Sequence, residues 1–447
     1  MSLFTRRESL SLGAAALGAA ALPGLRARAA DDVPTADVKP PEYAPEKGAT
    51  LRVLRPAKFI APDEEIFRAN TKKFTEQTGI PVRVDFVSWE DLRPQTAVTA
   101  NTGAGPDIII GWSADPQIYA EKLVDMSDLA DYLGKKYGGW YDLAVLYGTK
   151  WKSDKWLSIP MGGGTGPTVY RISWLQEAGY DKVPDDLDGF LQLCRKLKEK
   201  GHPCGFSLGH AIGDANGFCY WALWSHGGYL VDEDGKVAID SKETIAALNY
   251  VKEIYPTMIP GTLAWNDSGN NKAYAAGDIG LTFNGVSIYY VLKNSPDKRL
   301  NDIAADTNHQ TVPFGLVKRR PQSSLVVNAM LFRHSKYQNA AKEYLRFMME
   351  APQYGPWLSQ CYGYWSNPLR AYSKMAFWSA DPKLQPYTAG MDTPFYDGYK
   401  GPVTPASSAV SANYTVVDMF AAVATGNATP EEAAKRAAQQ VERYYRS

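Results

Sequence analysis

Residues 51–112 switch repeatedly between the period of a strand and the period of a helix, and that alternation confines the chain to an α/β fold. LRVLR at 51–55 is predicted as a strand. Positions 62–78 place Ile66, Phe67, Asn70 and Phe74 near one helical face and end at Gly79. VRVDFV at 82–87 alternates as a second strand, and a helix is predicted around Leu92 to Ala100. GPDIIIGW at 105–112 is a continuous apolar run, the mark of a strand buried on both faces. Strand, helix, strand, helix, strand builds a parallel sheet clothed in helices.

Further helices are predicted over 185–200, after a cap at Asp240-x-x-Glu243, and over 338–349. The last opens at Thr429-Pro430-Glu431-Glu432, a capping box with proline at its first position. At 447 residues the chain exceeds what one hydrophobic core usually serves, so two lobes are expected. No repeat of fixed period is present.

The first thirty residues are an address. Arg6-Arg7, the weakly apolar stretch LSLGAAALGAAALPGL and the box Ala27-Arg28-Ala29 have the order of a twin-arginine export signal, residues 1–29, cut after Ala29. The apolar run is too short and too rich in Ala and Gly to span a bilayer, so a periplasmic protein that is not membrane-inserted is expected. The first cysteine is Cys194, which closes the lipoprotein route. Residues 30–49 carry several prolines and are predicted to be a semi-extended spacer.

Forty-eight Lys and Arg balance 48 Asp and Glu, with no basic run, which argues against nucleic acid as a partner. The cysteines Cys194, Cys204, Cys219 and Cys361 permit three pairings, of which Cys194 with Cys204 flanks a predicted helix end at Gly201. Their spacing fits no common zinc site, and the five histidines are scattered, so neither metal nor cofactor is expected. Gly205-Phe206-Ser207-Leu208-Gly209 matches the G-x-S-x-G elbow, yet the polar, glycine-containing stretch after it lacks the helix an elbow requires. An exported hydrolase or lyase using Ser207 or a carboxylate pair is the rival from another class.

Several segments, in order, resemble the extracellular solute-binding proteins of ABC importers, in the sugar-binding group related to maltose-binding protein. Gly105-Pro106-Asp107-Ile108-Ile109 resembles that family's "GPDV" strand, and Asp154-Lys155-Trp156-Leu157-Ser158-Ile159-Pro160 its "DGKxYGIP". Val169-Tyr170 with Leu175-Gln176-Glu177-Ala178-Gly179 is similar to "YNKDLFKKAG". Asp232 to Val237 with Ser241 to Tyr250 is similar to "DDGKVTIDSPETVEAL", and AYAAGDIGL at 273–281 to "AFxxGKAAM". Arg171, Asp278 and Ile279 depart from the pattern. The resemblance implies a type II periplasmic-binding-protein fold, two α/β lobes with a hinge and a central ligand cleft. It places lobe one at 50–161 and 315–362, lobe two at 167–311 and 368–447, and crossings near 162–166, 312–314 and 362–367. It implies a monomer that binds a carbohydrate-like solute, performs no chemistry and meets an ABC permease.

A sugar needs flat apolar surfaces for its ring faces and fixed polar groups for its hydroxyls. In an open α/β sheet such groups gather at the carboxyl ends of the strands. That rule selects Lys58 and Phe59 after the first strand, Trp89, Glu90 and Asp91 after the second, and Trp112, Ser113 and Asp115 after the third. The implied crossings add Gly164, Thr165, Tyr364 and Trp365, and the second lobe adds Trp221, Trp224, Trp265 with Asn266 and Asp267, and Asn284; Asn328 is a further candidate. Trp221 and Trp224 stand at i, i+3 and fit a core face equally well. The alternatives within this fold are an anionic or sulfonated sugar, a glycerol phosphodiester or an oligopeptide; Lys58, Arg171 or Arg370 facing the cleft would favour an anion, and aromatics alone a neutral sugar.

Overall fold

A computed structural model of the chain describes residues 33–388 and 390–446. The twin-arginine segment and its cleavage box lie outside the described residues. Strands β1 (Leu51–Pro56), β2 (Val82–Val87), β3 (Ile108–Gly111), β4 (Ile159–Thr165) and β8 (Ser324–Leu331) form one sheet in the order β2-β1-β3-β8-β4. β5 (Thr168–Arg171), β6 (Leu281–Phe283) and β7 (Thr307–Gln310) form a second in the order β6-β5-β7. β1 pairs in parallel with β2 and β3, whereas β8 runs antiparallel to β3 and to β4. The carboxyl ends of β1 to β4 and the amino end of β8 therefore share one edge, and β4 leads across Gly166 and Pro167 directly into β5 of the second sheet.

Local chemistry explains the elements around that edge. Helix α1 (Ala61–Thr78) buries Phe67 and Phe74 completely, a burial worth about 1.5–3 kcal/mol for each ring. It stops at Gly79, whose φ of 73° lets its N–H reach the Thr75 carbonyl. Helix α2 (Trp89–Thr102) begins earlier than its apolar spacing predicts, because Ser88 accepts a hydrogen bond from the Asp91 N–H and adds a turn. Trp89, Glu90 and Asp91 thus form a first helical turn, and not a loop.

The second sheet is covered by α3 (Leu187–Glu199), α4 (Asp214–Ser225) and α5 (Lys242–Ile254). The cap of α5 is Ser241, accepting from the Thr244 N–H, one residue beyond the predicted Asp240. Helices α6 (Gln338–Met349) and α7 (Ala351–Gln360) pack on the first sheet side, where Phe74 meets Tyr344 edge-on at 5.1 Å. The chain closes with α8 (Pro405–Ala412), α9 (Thr415–Ala424) and α10 (Pro430–Arg446). Thr429 and Glu432 cap the last reciprocally, at 3.1 and 3.2 Å.

Two expectations need correction. Residues 33–49 hold no helix or strand, yet they are strapped to the body and do not act as a free spacer. Ala36 N–H bonds the Lys136 carbonyl at 2.9 Å, and the Glu46 carboxylate accepts the backbone N–H groups of Asn339 and Ala340 at 2.9 and 3.1 Å. Glu46 thereby satisfies the exposed first turn of α6 from far away in sequence. The four cysteines are all free, buried thiols; Cys194 and Cys204 are neighbours but unbridged. Burial pushes the Cys194, Cys219 and Cys361 thiols up.

Candidate functional site

The shared edge of the first sheet faces the start of α4 and the end of β6 across a cavity of about 150 Å³. That is room for on the order of ten waters, or one sugar-sized molecule.

One wall is aromatic. Phe59, Trp89, Trp112 and Trp365 follow one another, with Trp89 4.7 Å from Trp112, 5.6 Å from Trp365 and 5.8 Å from Phe59, centroid to centroid. The rings are fixed by their polar edges: Trp89 Nε1 donates to the Ala57 carbonyl at 3.0 Å, and Trp365 Nε1 to Asp63 Oδ1 at 2.8 Å. Asp63 is fully buried on α1, where it also accepts from Trp357 Nε1 at 3.1 Å and from Arg55 Nη2 at 2.6 Å. Tyr364 lies beside Trp365, edge to face at 4.8 Å. The opposite side carries Phe218, Trp221 and Phe283, with Trp221 anchored by its Nε1 to the Pro313 carbonyl at 3.0 Å.

Polar groups stand between these walls. Arg93, one turn after Trp89 on α2, lines the cavity and donates its Nε to Asp115 at 3.0 Å. Asp267 accepts the N–H groups of Gly213 and Asp214 at 3.0 and 2.8 Å, so its carboxylate sits at the positive end of α4. Burial pushes the carboxyls of Asp267 and Asp397 up to about 6, the Arg93 guanidinium opposing the shift at Asp397. Burial, and then the neighbouring Asp267 charge, hold the Asp214 carboxyl well above the usual range.

Five solvent-excluded polar atoms in this lining have no hydrogen-bond partner: Arg93 Nη1, Thr165 Oγ1, Asp214 Oδ2, Asn216 Oδ1 and Gln322 Nε2. Buried polar groups are ordinarily paired, and each unpaired one costs about 1–3 kcal/mol. The cavity concentrates five of them between aromatic walls.

Of the residues selected from sequence, Trp89, Trp112, Ser113, Gly164, Thr165, Trp221, Asn284, Tyr364 and Trp365 line this cavity, as do Phe59 and Asp267. The others do not. Lys58 is captured by Glu64 at 3.3 Å, and Glu90 is exposed on α2. Asp115 lies beneath, fixing Arg93 and the Trp112 N–H. Asn328 is fully buried and holds the Ser113 carbonyl at 2.9 Å. The Trp265 ring packs against Gly205 and Gly269, where an added Cβ would stand 2.8 and 2.5 Å from it. Trp224 turns into the core against Phe395 at 5.2 Å.

Sequence reasoning missed Arg93, Asp214, Asn216, Gln322, Asp397 and Ser411. Arg93 could have been found, since it follows Trp89 by four residues on one helical face. Asp397 and Ser411 gave no local signal.

Ser207 lies in coil with its hydroxyl on the Trp265 carbonyl at 3.3 Å, and the next helix begins only at Asp214, so the elbow is not formed. Among the described residues no group of three or more His, Cys, Asp or Glu is placed to hold a metal, and no helix is long and apolar enough to cross a membrane.

Two sheets facing each other across a closed-in cleft, joined by crossing strands, define a two-lobed binding protein of the type II periplasmic class. The family described as bacterial extracellular solute-binding protein matches residues 69–386, most of the chain, and the chain belongs to it. A binding protein of Brucella abortus (strain 2308) is 22% identical over 304 residues, 66% of this chain and 71% of that protein. Maltose-bound MalE3 of T. maritima superposes with a TM-score of 0.74 at 20% identity, over 88% of this chain and 99% of that one. A solute-binding protein of Agrobacterium radiobacter K84 in complex with ribitol also gives 0.74, at 15% identity over 90% and 100%.

Proposed function

We propose that the protein captures a small polyhydroxylated solute, a sugar or polyol, and delivers it to an ABC permease. The observation that carries this reading is the convergence of five unpartnered polar atoms on one aromatic-walled cavity. Hydroxyls satisfy such atoms as donors or acceptors, while the apolar faces of a ring or carbon chain lie on Trp89, Trp112 and Trp365. Maltose and ribitol, bound by the two structural relatives, have this character.

Lys58, Arg171 and Arg370 do not line the cavity: Lys58 pairs with Glu64, Arg171 with Asp306 at 2.8 Å and Arg370 with Asp142 at 3.1 Å. Capture works by closure. The segments 162–166, 312–314 and 362–367 are the hinge crossings, and ligand contacts from both lobes exist together only in the shut form, so ligand shifts the population toward it. The permease reads the closed shape. Export into the periplasm by the Arg6-Arg7 signal and action as a monomer complete the proposal.

A thermal-shift screen of residues 30–447 against sugars, polyols, sugar acids and phosphodiesters tests it. A ligand at about 100 times its dissociation constant stabilises by about 2.7 kcal/mol. Stabilisation by sugars or polyols without turnover is expected; stabilisation by sugar acids or phosphodiesters alone, or conversion of a compound, overturns the reading.

A further inference from the structure

The polar lining is chemically lopsided. The side of the first sheet presents donors, Arg93 Nη1 and Gln322 Nε2. The α4 side presents acceptors, Asp214 Oδ2 and Asn216 Oδ1. The orientation of the Asn216 amide is set by its Nδ2, which donates to the carbonyls of Ile212 at 3.0 Å and Ser411 at 3.4 Å, leaving Oδ1 turned to the cavity on a residue only 6% exposed. Four charged side chains line the cavity, and three of them, Asp214, Asp267 and Asp397, are acids.

The charges are not equally answered. Asp267 is held by backbone N–H groups at the start of α4. Asp397 is bonded to Ser411 and feels Arg93. Arg93 itself is shared with Asp115, buried below the lining. Among the described residues Asp214 has no ion-pair partner: its Oδ2 is solvent-excluded and unpartnered, the Asn270 side chain supports the carboxyl by a hydrogen bond, and the charge acting on it is the Asp267 carboxylate. A buried carboxylate without a cation is strongly disfavoured unless something neutralises it. A hydroxyl would give Asp214 one hydrogen bond and leave the charge unmatched. An ammonium group has three N–H donors and a positive charge, which suits Asp214 Oδ2 and Asn216 Oδ1 together.

We propose that the ligand of this cavity is an amino sugar or amino polyol, with its protonated amine at Asp214 and Asn216 on α4 and its hydroxyl oxygens toward Arg93 and Gln322. This rests on the binding-protein reading above and names the substrate class within it. Burial and the Asp267 charge disfavour the charged form of Asp214, and a cation placed against it offsets both.

Matched pairs at pH 7 provide the test, by thermal shift and then calorimetry: glucosamine against glucose, galactosamine against galactose, and 1-amino-1-deoxysorbitol against sorbitol. The expected result is that the amine of at least one pair binds ten-fold or more tightly than its neutral partner. Asp214→Asn should abolish that preference and Asp214→Glu, which keeps the charge at the first position of the helix, should retain it. Equal or tighter binding of the neutral partners overturns the amine while leaving the sugar-binding reading intact. A preference that survives Asp214→Asn overturns the placement. Binding by no member of any pair overturns the inference, and the sugar-binding reading falls with it only if the wider neutral screen is also silent.

Discussion

Replacing Asp63 by Asn tests whether the aromatic wall is held in place by a buried charge. The Asp63 carboxylate receives three donors, Arg55 Nη2 at 2.6 Å and the indole N–H groups of Trp357 and Trp365 at 3.1 and 2.8 Å, and both charged side chains are about 98–99% buried. Arg55 Nε and Nη1 already lack partners, and its guanidinium lies 4.5 Å over the Phe67 ring. An asparagine offers one acceptor oxygen and an NH₂. If the oxygen serves the indoles, the NH₂ confronts the guanidinium; if it serves Arg55, the indoles face donors. Either way Arg55 keeps an uncompensated buried charge, which costs about 3–5 kcal/mol. With an unfolding entropy near 2.1 cal/mol/K per residue, a body of about 400 residues should lose roughly 4–6 °C in Tm. The guanidinium is the stronger donor and claims the oxygen, so Trp365 is no longer pinned against Trp89 and ligand affinity should also fall by the worth of one aromatic contact, about 0.5–1.5 kcal/mol or 2- to 13-fold. Thermal unfolding followed by near-ultraviolet circular dichroism reads the first effect, and calorimetry with the best ligand of the screen reads the second. A Tm within 1 °C of wild type, together with unchanged affinity, would refute the assignment of Asp63 as the residue that positions Trp365.

Three other outcomes follow from the geometry. Gly163→Ala would set a Cβ 2.5 Å from the Leu325 carbonyl across the β4–β8 pair, so about 1–3 kcal/mol of stability and most ligand binding should be lost; a variant that binds normally contradicts the tight pairing. Glu46→Ala removes the remote cap of α6 and should lower stability by about 0.5–2 kcal/mol while speeding limited proteolysis within 33–49, and an unchanged cleavage rate would mean the strap is held by other contacts. Asp397, with its carboxyl raised to about 6, binds its proton more tightly folded than unfolded; its contribution is present in full below about pH 4 and is lost as pH rises through 6, roughly 2–3 kcal/mol in all. Asp397→Asn should therefore lose less stability than wild type between pH 4 and 7 in chemical denaturation, and parallel curves would exclude this cause.

The parts of the fold that could be read from the chain are those whose cause is local. Ile108 to Ile110 are buried on both faces of β3, and the Thr429–Glu432 cap acts within one turn, so a few residues suffice to announce each. The cavity residues found by the strand-end rule share that property, since Trp89 and Trp112 follow directly on β2 and β3. Lys58 failed because a strand end fixes a backbone position and not a side-chain direction, and Glu64 on the next helix offers a nearer partner. The strap over 33–49 failed because composition forbids helix and strand but is silent about an extended chain tied down by the backbone of residues 136, 339 and 340.

The acids divide along the same line. Asp63 and Asp115 look in sequence like any acid in the first turn of a helix, yet both are positioning residues, because each meets an arginine arriving from another element, Arg55 on β1 and Arg93 on α2. Asp214 has equally ordinary surroundings in sequence and no such arginine. What separates a scaffold carboxylate from a ligand-facing one is thus the presence or absence of a partner brought by the tertiary fold. Asp267, 53 residues downstream of Asp214, sets that environment by occupying the start of α4, where backbone N–H groups hold it, and by holding its neighbour's carboxyl above the usual range. A local pattern can therefore nominate aromatic walls, whereas the unmatched charge that selects a ligand emerges only when distant segments are packed together.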